Sequence, residues 1–240
     1  TPRQDNNLGR STAYSVGQGY HGGDWCGGCE TKIGIEMRNP YFSTPPVVQN
    51  LIIANCVVYI AMTLIPAVNA LFSEYLQLFW FESPYYHTYQ FITYMFLHGG
   101  FWHLFSNMFA LWMFGRTLEY ELGSRRFFIY YMICGIGAAL LQMGVAAITG
   151  DIYFRLVGAS GAVMGLLLAF GVMHPNNEIY IMPLPFPIKA KWFVIGYAVL
   201  EIALGWSGAE SGVAHFAHVG GMLWGLLLLL YWRKKGKVWF

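Results

Sequence analysis

Gly158-Ala159-Ser160-Gly161-Ala162-Val163-Met164-Gly165-Leu166-Leu167-Leu168 is the stretch on which the reading of this chain turns. It sets one serine hydroxyl among small residues at the start of an apolar run. Farther on, His215-Phe216-Ala217-His218 opens a second apolar run. Lipid offers a hydroxyl or an imidazole no partner, so polar residues embedded in membrane-length segments are functional-site candidates by default. If Ser160 and one of these histidines meet, a nucleophile and its base stand together where water is scarce.

The composition supports a membrane setting for both runs. Of 240 residues, 56% are hydrophobic and only 11% are charged, whereas a soluble domain carries about 25% charged residues. The chain reads as an all-α membrane protein, and its length suits one bundle. A formal net charge of +2 is too small to indicate a nucleic-acid partner; the partner that the composition does indicate is the lipid bilayer.

Working outward from Ser160, six segments approach the roughly 20 apolar residues a membrane helix needs. They lie near 47–70, 102–121, 126–149, 159–174, 188–206 and 214–232, and the short fourth is expected at the bundle centre. This makes 47–232 the membrane domain. It is flanked by a Gly-rich polar tail over 1–46 and a basic tail over 233–240. The connection from Leu71 to Phe101 has no Lys or Arg but is dense in rings, among them Phe79, Trp80, Tyr85, Tyr86 and Tyr89. Aromatic rings without charge favour the membrane–water boundary, so a partly helical element in the outer interface is expected there.

Basic residues set the orientation. The tail holds Arg3, Arg10, Lys32 and Arg38, the second-to-third link Arg116, Arg125 and Arg126, the fourth-to-fifth Lys189 and Lys191, and the C-terminus Arg233, Lys234, Lys235 and Lys237. Arg155 alone falls on the other side. The positive-inside rule then puts both termini in the cytoplasm, and the expected location is the plasma (inner) membrane of a bacterium. In this topology helices two, four and six run in the same direction. His103 and Asn107, Ser160, and His215 with His218 all lie within about 10 Å of the outer helix ends. His103 and Asn107 are four apart and share a face. His218, Gly221 and Gly225 also share one, and the glycines allow close backbone approach.

Four cysteines add little. Cys56 and Cys134 sit in apolar segments, and Cys26-Gly27-Gly28-Cys29 is a lone CxxC that reads as part of a flexible loop. His21 and Asp24 complete a metal site there only by assumption. HExxH is absent, and His98, His103 and Asn107 lack a further ligand, so neither metal nor cofactor is expected.

Together these residues resemble the rhomboid intramembrane serine proteases, over about residues 47–232. The motifs are His98-x4-His103-x3-Asn107, Gly158-Ala159-Ser160-Gly161 and Ala217-His218-Val219-Gly220-Gly221, with Phe114-Gly115-Arg116-Thr117-Leu118-Glu119 between helices two and three. The resemblance implies a six-transmembrane-helix rhomboid-like bundle. It implies Ser160 as nucleophile, His218 as general base, and an oxyanion site of His103, Asn107 and the Ser160 N–H, with no acidic third member. It also implies single-pass transmembrane substrates cut near the outer side. Met164 stands where the family often has an aromatic residue, and Tyr89-Gln90 where it often has Trp-Arg.

On the residues themselves, His218 is the first choice of base because it shares the glycine face, and His215 lies about 60° away on the helix. A non-catalytic rhomboid-like scaffold or chaperone that binds transmembrane helices is the alternative, but such a protein need not keep both Ser160 and His218. A small transporter would continue its polar path inward, whereas helix six continues as Leu226-Leu227-Leu228-Leu229-Leu230.

Overall fold

Pro45 and Pro46 open the first helix. Proline suits a first helical turn because its missing N–H would have had no partner there. In the computed structural model, which describes residues 43–180, 186–207 and 214–238, this helix is α1 (Pro46–Leu64). The tail up to residue 42 lies outside the described residues, and with it Cys26, Cys29, His21 and Asp24.

The start of α1 is closed by a distant carboxylate. Glu119, 2% exposed, accepts hydrogen bonds from the N–H groups of Val47 (3.0 Å) and Val48 (2.8 Å), and Ser124 Oγ donates to it at 2.6 Å. A helix N-terminus leaves N–H groups unpaired and carries partial positive charge, so an anion there satisfies both. Glu119→Ala strands one buried and one part-buried donor, and a loss of about 2–3 kcal/mol of stability is expected. A melting curve in detergent checks it.

Pro66 ends α1 earlier than expected. Hydropathy predicts a first segment running to residue 70, but α1 stops at Leu64 and α2 (Pro66–Tyr75) begins anew, because proline disfavours a helical predecessor and cannot donate. The aromatic connection is partly helical, as expected, with α3 (Gln90–Thr93) and a 3₁₀ turn (Tyr94–Phe96). Gln90, fully buried, organises it. Its Nε2 donates to the carbonyls of Tyr75 (3.0 Å) and Tyr85 (2.7 Å), while its Oε1 accepts from His87 N–H (3.2 Å). A neutral amide serves here because the groups to be satisfied are backbone.

The second expected segment is α4 (Phe101–Ala110), a π-helical turn (Leu111–Gly115) and α5 (Arg116–Leu122). Gly123, at φ 77°, turns the chain into α6 (Ser124–Thr149), a positive-φ conformation that glycine adopts without strain. Then follow α7 (Ser160–Met173), α8 (Ala190–Ser207) and α9 (His215–Lys234). Two small antiparallel ladders join the helices: β1 (Leu78–Phe79) with β2 (Arg155–Leu156), and β3 (Glu178–Ile179) with β4 (Ile188–Lys189). The fold is thus mostly helical. Among the described residues, α1, α6 and α9 are long and apolar enough to cross a membrane, and α7 is a shorter apolar helix. The other expected spans are less clear-cut by that measure: a π turn interrupts α4–α5, and Lys191 and Glu201 lie in α8.

Helices α6, α7 and α9 form the centre, and α8 lies against α7 and α9. Small residues set the spacing. A Cβ on Gly221 would collide with the Gly161 carbonyl, and one on Gly165 would sit 3.0 Å from the Gly221 oxygen. One end of the bundle gathers the basic residues. There Arg126 Nη1 donates to the Lys237 carbonyl (3.1 Å), and His174 Nε2 lies 3.0 Å from Glu121.

Candidate active site

Ser160 is the first residue of α7, and the chain leading to it is held tightly. Residues 155–156 pair with β1, and the N–H of Gly158 donates to the Tyr94 carbonyl at 2.9 Å. Tyr94 is anchored in turn, its hydroxyl donating to the Gly135 carbonyl in α6 at 2.7 Å. Gly158 has φ 113°, and a Cβ there would lie 2.6 Å from His103 Nε2 and 3.8 Å from Ser160 Oγ. Only glycine therefore lets these two side chains face one small space.

His218 sits in the first turn of α9. Its Nε2 lies 2.8 Å from Ser160 Oγ, across helices that Gly161 and Gly221 bring into contact. His103, Asn107, Ser160, Met164 and His218 all line one cavity of about 540 Å³. As the first residue of its helix, Ser160 has an N–H without an intrahelical acceptor, so this group is available as a donor. Asn107 is partly occupied: its Nδ2 donates to the His103 carbonyl one turn back at 2.9 Å, which leaves its second N–H. His98 sits edge-on to His103, ring centroids 5.0 Å apart. Tyr197 lines the same cavity as Met164.

Sequence reasoning missed Glu201. The resemblance implies a serine–histidine pair with no acid, yet the Glu201 carboxylate lies 3.0 Å from His218 Nδ1 and 2.7 Å from His215 Nδ1. It is 4% exposed. A signal was present, since Glu201 is an acid inside Val199-Leu200-Glu201-Ile202-Ala203 and an ionisable residue in an apolar span is a site candidate by the rule that selects Ser160. The three groups offer ligand atoms within 4.8 Å of one another. His215 Nδ1 is nevertheless hydrogen-bonded directly to this carboxylate and His218 Nδ1 lies at ion-pair distance from it, whereas two ligands of a tetrahedral zinc ion stand about 3.3 Å apart.

The family follows from a match over most of this region. A family model described as the rhomboid domain fits residues 86–235. The chain belongs to the rhomboid family. This rhomboid is 35% identical over 144 residues to "Rhomboid protein 1, mitochondrial" of Saccharomyces cerevisiae, covering 58% of the chain and 40% of the relative. It is 37% identical over 135 residues to "RHOMBOID-like protein 4" of Arabidopsis thaliana, covering 55% and 31%. With "Presenilin-associated rhomboid-like protein, mitochondrial" of Bos taurus it shares 28% over 159 residues, covering 60% and 40%. The aligned part thus spans less than half the length of these relatives.

These relatives overturn the expected bacterial plasma membrane. All three are eukaryotic, and two are named as mitochondrial. Counting Lys and Arg sorts connections to one side of a bilayer, but it does not name the bilayer. Both termini were placed on the basic side by the Lys and Arg count, but naming that side the cytoplasm presupposes a plasma membrane, so the cytoplasmic assignment is corrected together with the bacterial one.

Proposed function

We propose that this rhomboid is an intramembrane serine endopeptidase that hydrolyses peptide bonds in transmembrane segments of single-pass membrane proteins. The observation that carries the reading is the 2.8 Å contact between Ser160 Oγ and His218 Nε2, inside a cavity that His103 and Asn107 also line. Rhomboids are generally proteases of this kind although some are inactive, and this chain keeps both side chains that the chemistry requires.

Neutral imidazole takes the Ser160 proton on Nε2 as Oγ bonds the scissile carbonyl carbon. The carbonyl electron pair moves onto oxygen, where the Ser160 N–H, His103 and Asn107 donate; losing one such donor costs about 10²–10³ in rate. The oxyanion then re-forms the carbonyl, the C–N bond breaks, and His218 gives its proton to the leaving amine. Water repeats the sequence on the acyl-enzyme and releases the acid. A transmembrane helix hides its carbonyls in its own hydrogen bonds, so the substrate must unwind near the cut. Ser160 lies away from the basic end, which favours cleavage near the opposite membrane face.

The segments matched by α1, α4–α5, α6, α7, α8 and α9 are read as six spans with short α7 at the centre. The mitochondrial names of the relatives support a eukaryotic organellar membrane as the setting. The test is a fluorophosphonate, which forms an Oγ–P bond with an activated serine and expels fluoride. Peptide mapping of the treated protein is expected to find the adduct on Ser160. A folded protein that stays unmodified there under conditions that label a known serine protease contradicts the reading.

A further inference from the structure

We infer that Glu201 is the positioning residue of this site: its carboxylate fixes the tautomer of His218 and so hands Ser160 a base that is ready to act. The inference rests on the protease reading above and adds a member that reading does not contain.

A carboxylate can only accept hydrogen bonds. A negative carboxylate 3.0 Å from an imidazole nitrogen favours the proton on that nitrogen, which places the hydrogen of neutral His218 on Nδ1. The lone pair is then left on Nε2, the atom 2.8 Å from Ser160 Oγ. The opposite tautomer would set two lone pairs against each other at Nδ1 and leave no base facing the serine.

Glu201 is itself well held. An isolated buried carboxylate is costly, and one this enclosed needs donors. His215 Nδ1, one turn before His218, supplies one at 2.7 Å to the same oxygen, and Tyr197 on α8 is a further hydrogen-bond partner. Helix α8 thus contributes the carboxylate, α9 both imidazoles, and α7 the nucleophile. During the reaction the proton from Ser160 Oγ goes to Nε2 while the Nδ1 proton stays on the ring. Glu201 stabilises the resulting imidazolium without becoming protonated. His215, weighed above as a second base, acts here as the brace of the carboxylate.

Glu201→Gln keeps the shape but can turn an amide donor toward Nδ1 and favour the wrong tautomer. In detergent or vesicles, with the whole chain, it is expected to lower kcat by about 10²–10⁴ with KM within about twofold. Phosphonylation of Ser160 should slow by a similar factor, a readout independent of substrate docking. Glu201→Asp, which keeps the charge on a shorter arm, is expected to recover part of the rate. A folded Glu201→Gln with parental kcat and labelling overturns the inference while leaving the protease reading intact. If Glu201→Gln does not fold, Glu201→Asp decides alone: a changed kcat at constant KM supports the role, and an unchanged kcat or a change in KM only overturns it. A parent chain that neither labels at Ser160 nor cleaves removes both readings.

Discussion

His218→Ala is expected to lower kcat by about 10⁴–10⁶-fold, as far as Ser160→Ala does, and the double variant is expected to fall no further. The reason is that the two side chains act as one unit. A serine hydroxyl is a poor nucleophile until its proton leaves, and the nitrogen 2.8 Å away is placed to receive it. Once either partner is gone, the other has nothing to act on, so the losses do not add. KM should change little, because neither side chain is needed to hold a transmembrane segment in the bilayer. His215 is not placed to take over: His218 is the imidazole that meets Ser160, and His215 projects about 60° from it on α9. His215→Ala should accordingly keep part of the rate. Steady-state cleavage of a reporter transmembrane substrate by the parent and the four variants checks the pattern.

Gly221→Ala is expected to damage both fold and activity. The added methyl would meet the Gly161 carbonyl, which is backbone in the neighbouring helix and cannot rotate away. Helices α7 and α9 must then separate. Overpacking of this kind costs about 1–3 kcal/mol or more, which in a chain of this size is a melting shift of several degrees. Separation also lengthens the contact between Ser160 and His218, and a misplacement of about 1 Å can cost 10²-fold in rate. Gly144→Ala is the control. It lies in α6, where a Cβ would meet nothing within 4 Å, so the same substitution should leave activity alone and gain up to about 1 kcal/mol of helix stability.

Much of this arrangement was legible because it rests on local pattern. Apolar run length located α6, α7, α8 and α9 to within two residues at each end. Glycine spacing identified the face on which α9 approaches α7, and His218 lies on it. The first segment was read too long because apolar content continues through Pro66, and hydropathy does not register a missing N–H. Glu119 shows a different limit. Its partners are 71 and 72 residues away, so nothing near it in the chain announces that it closes α1. Glu201 was missed for a related reason: the pairing of α8 with α9 had to be known before its carboxylate could be set beside two imidazoles. Asn107 lies in the expected cavity, but its bond to the His103 carbonyl follows from a side-chain rotamer that spacing does not encode. The membrane itself was misjudged, because a charge count carries the sidedness of a bilayer and not its identity.

The central claim is that Ser160 cuts peptide bonds within the membrane. Its most direct test is to reconstitute the parent chain and Ser160→Ala side by side in lipid vesicles with a single-pass transmembrane substrate, and to map the products by mass. For the parent a cut in the substrate near the membrane face opposite the basic end is expected, and none for Ser160→Ala, with both proteins folded. Equal cleavage by the two, or a folded parent that leaves every such substrate intact, would contradict it.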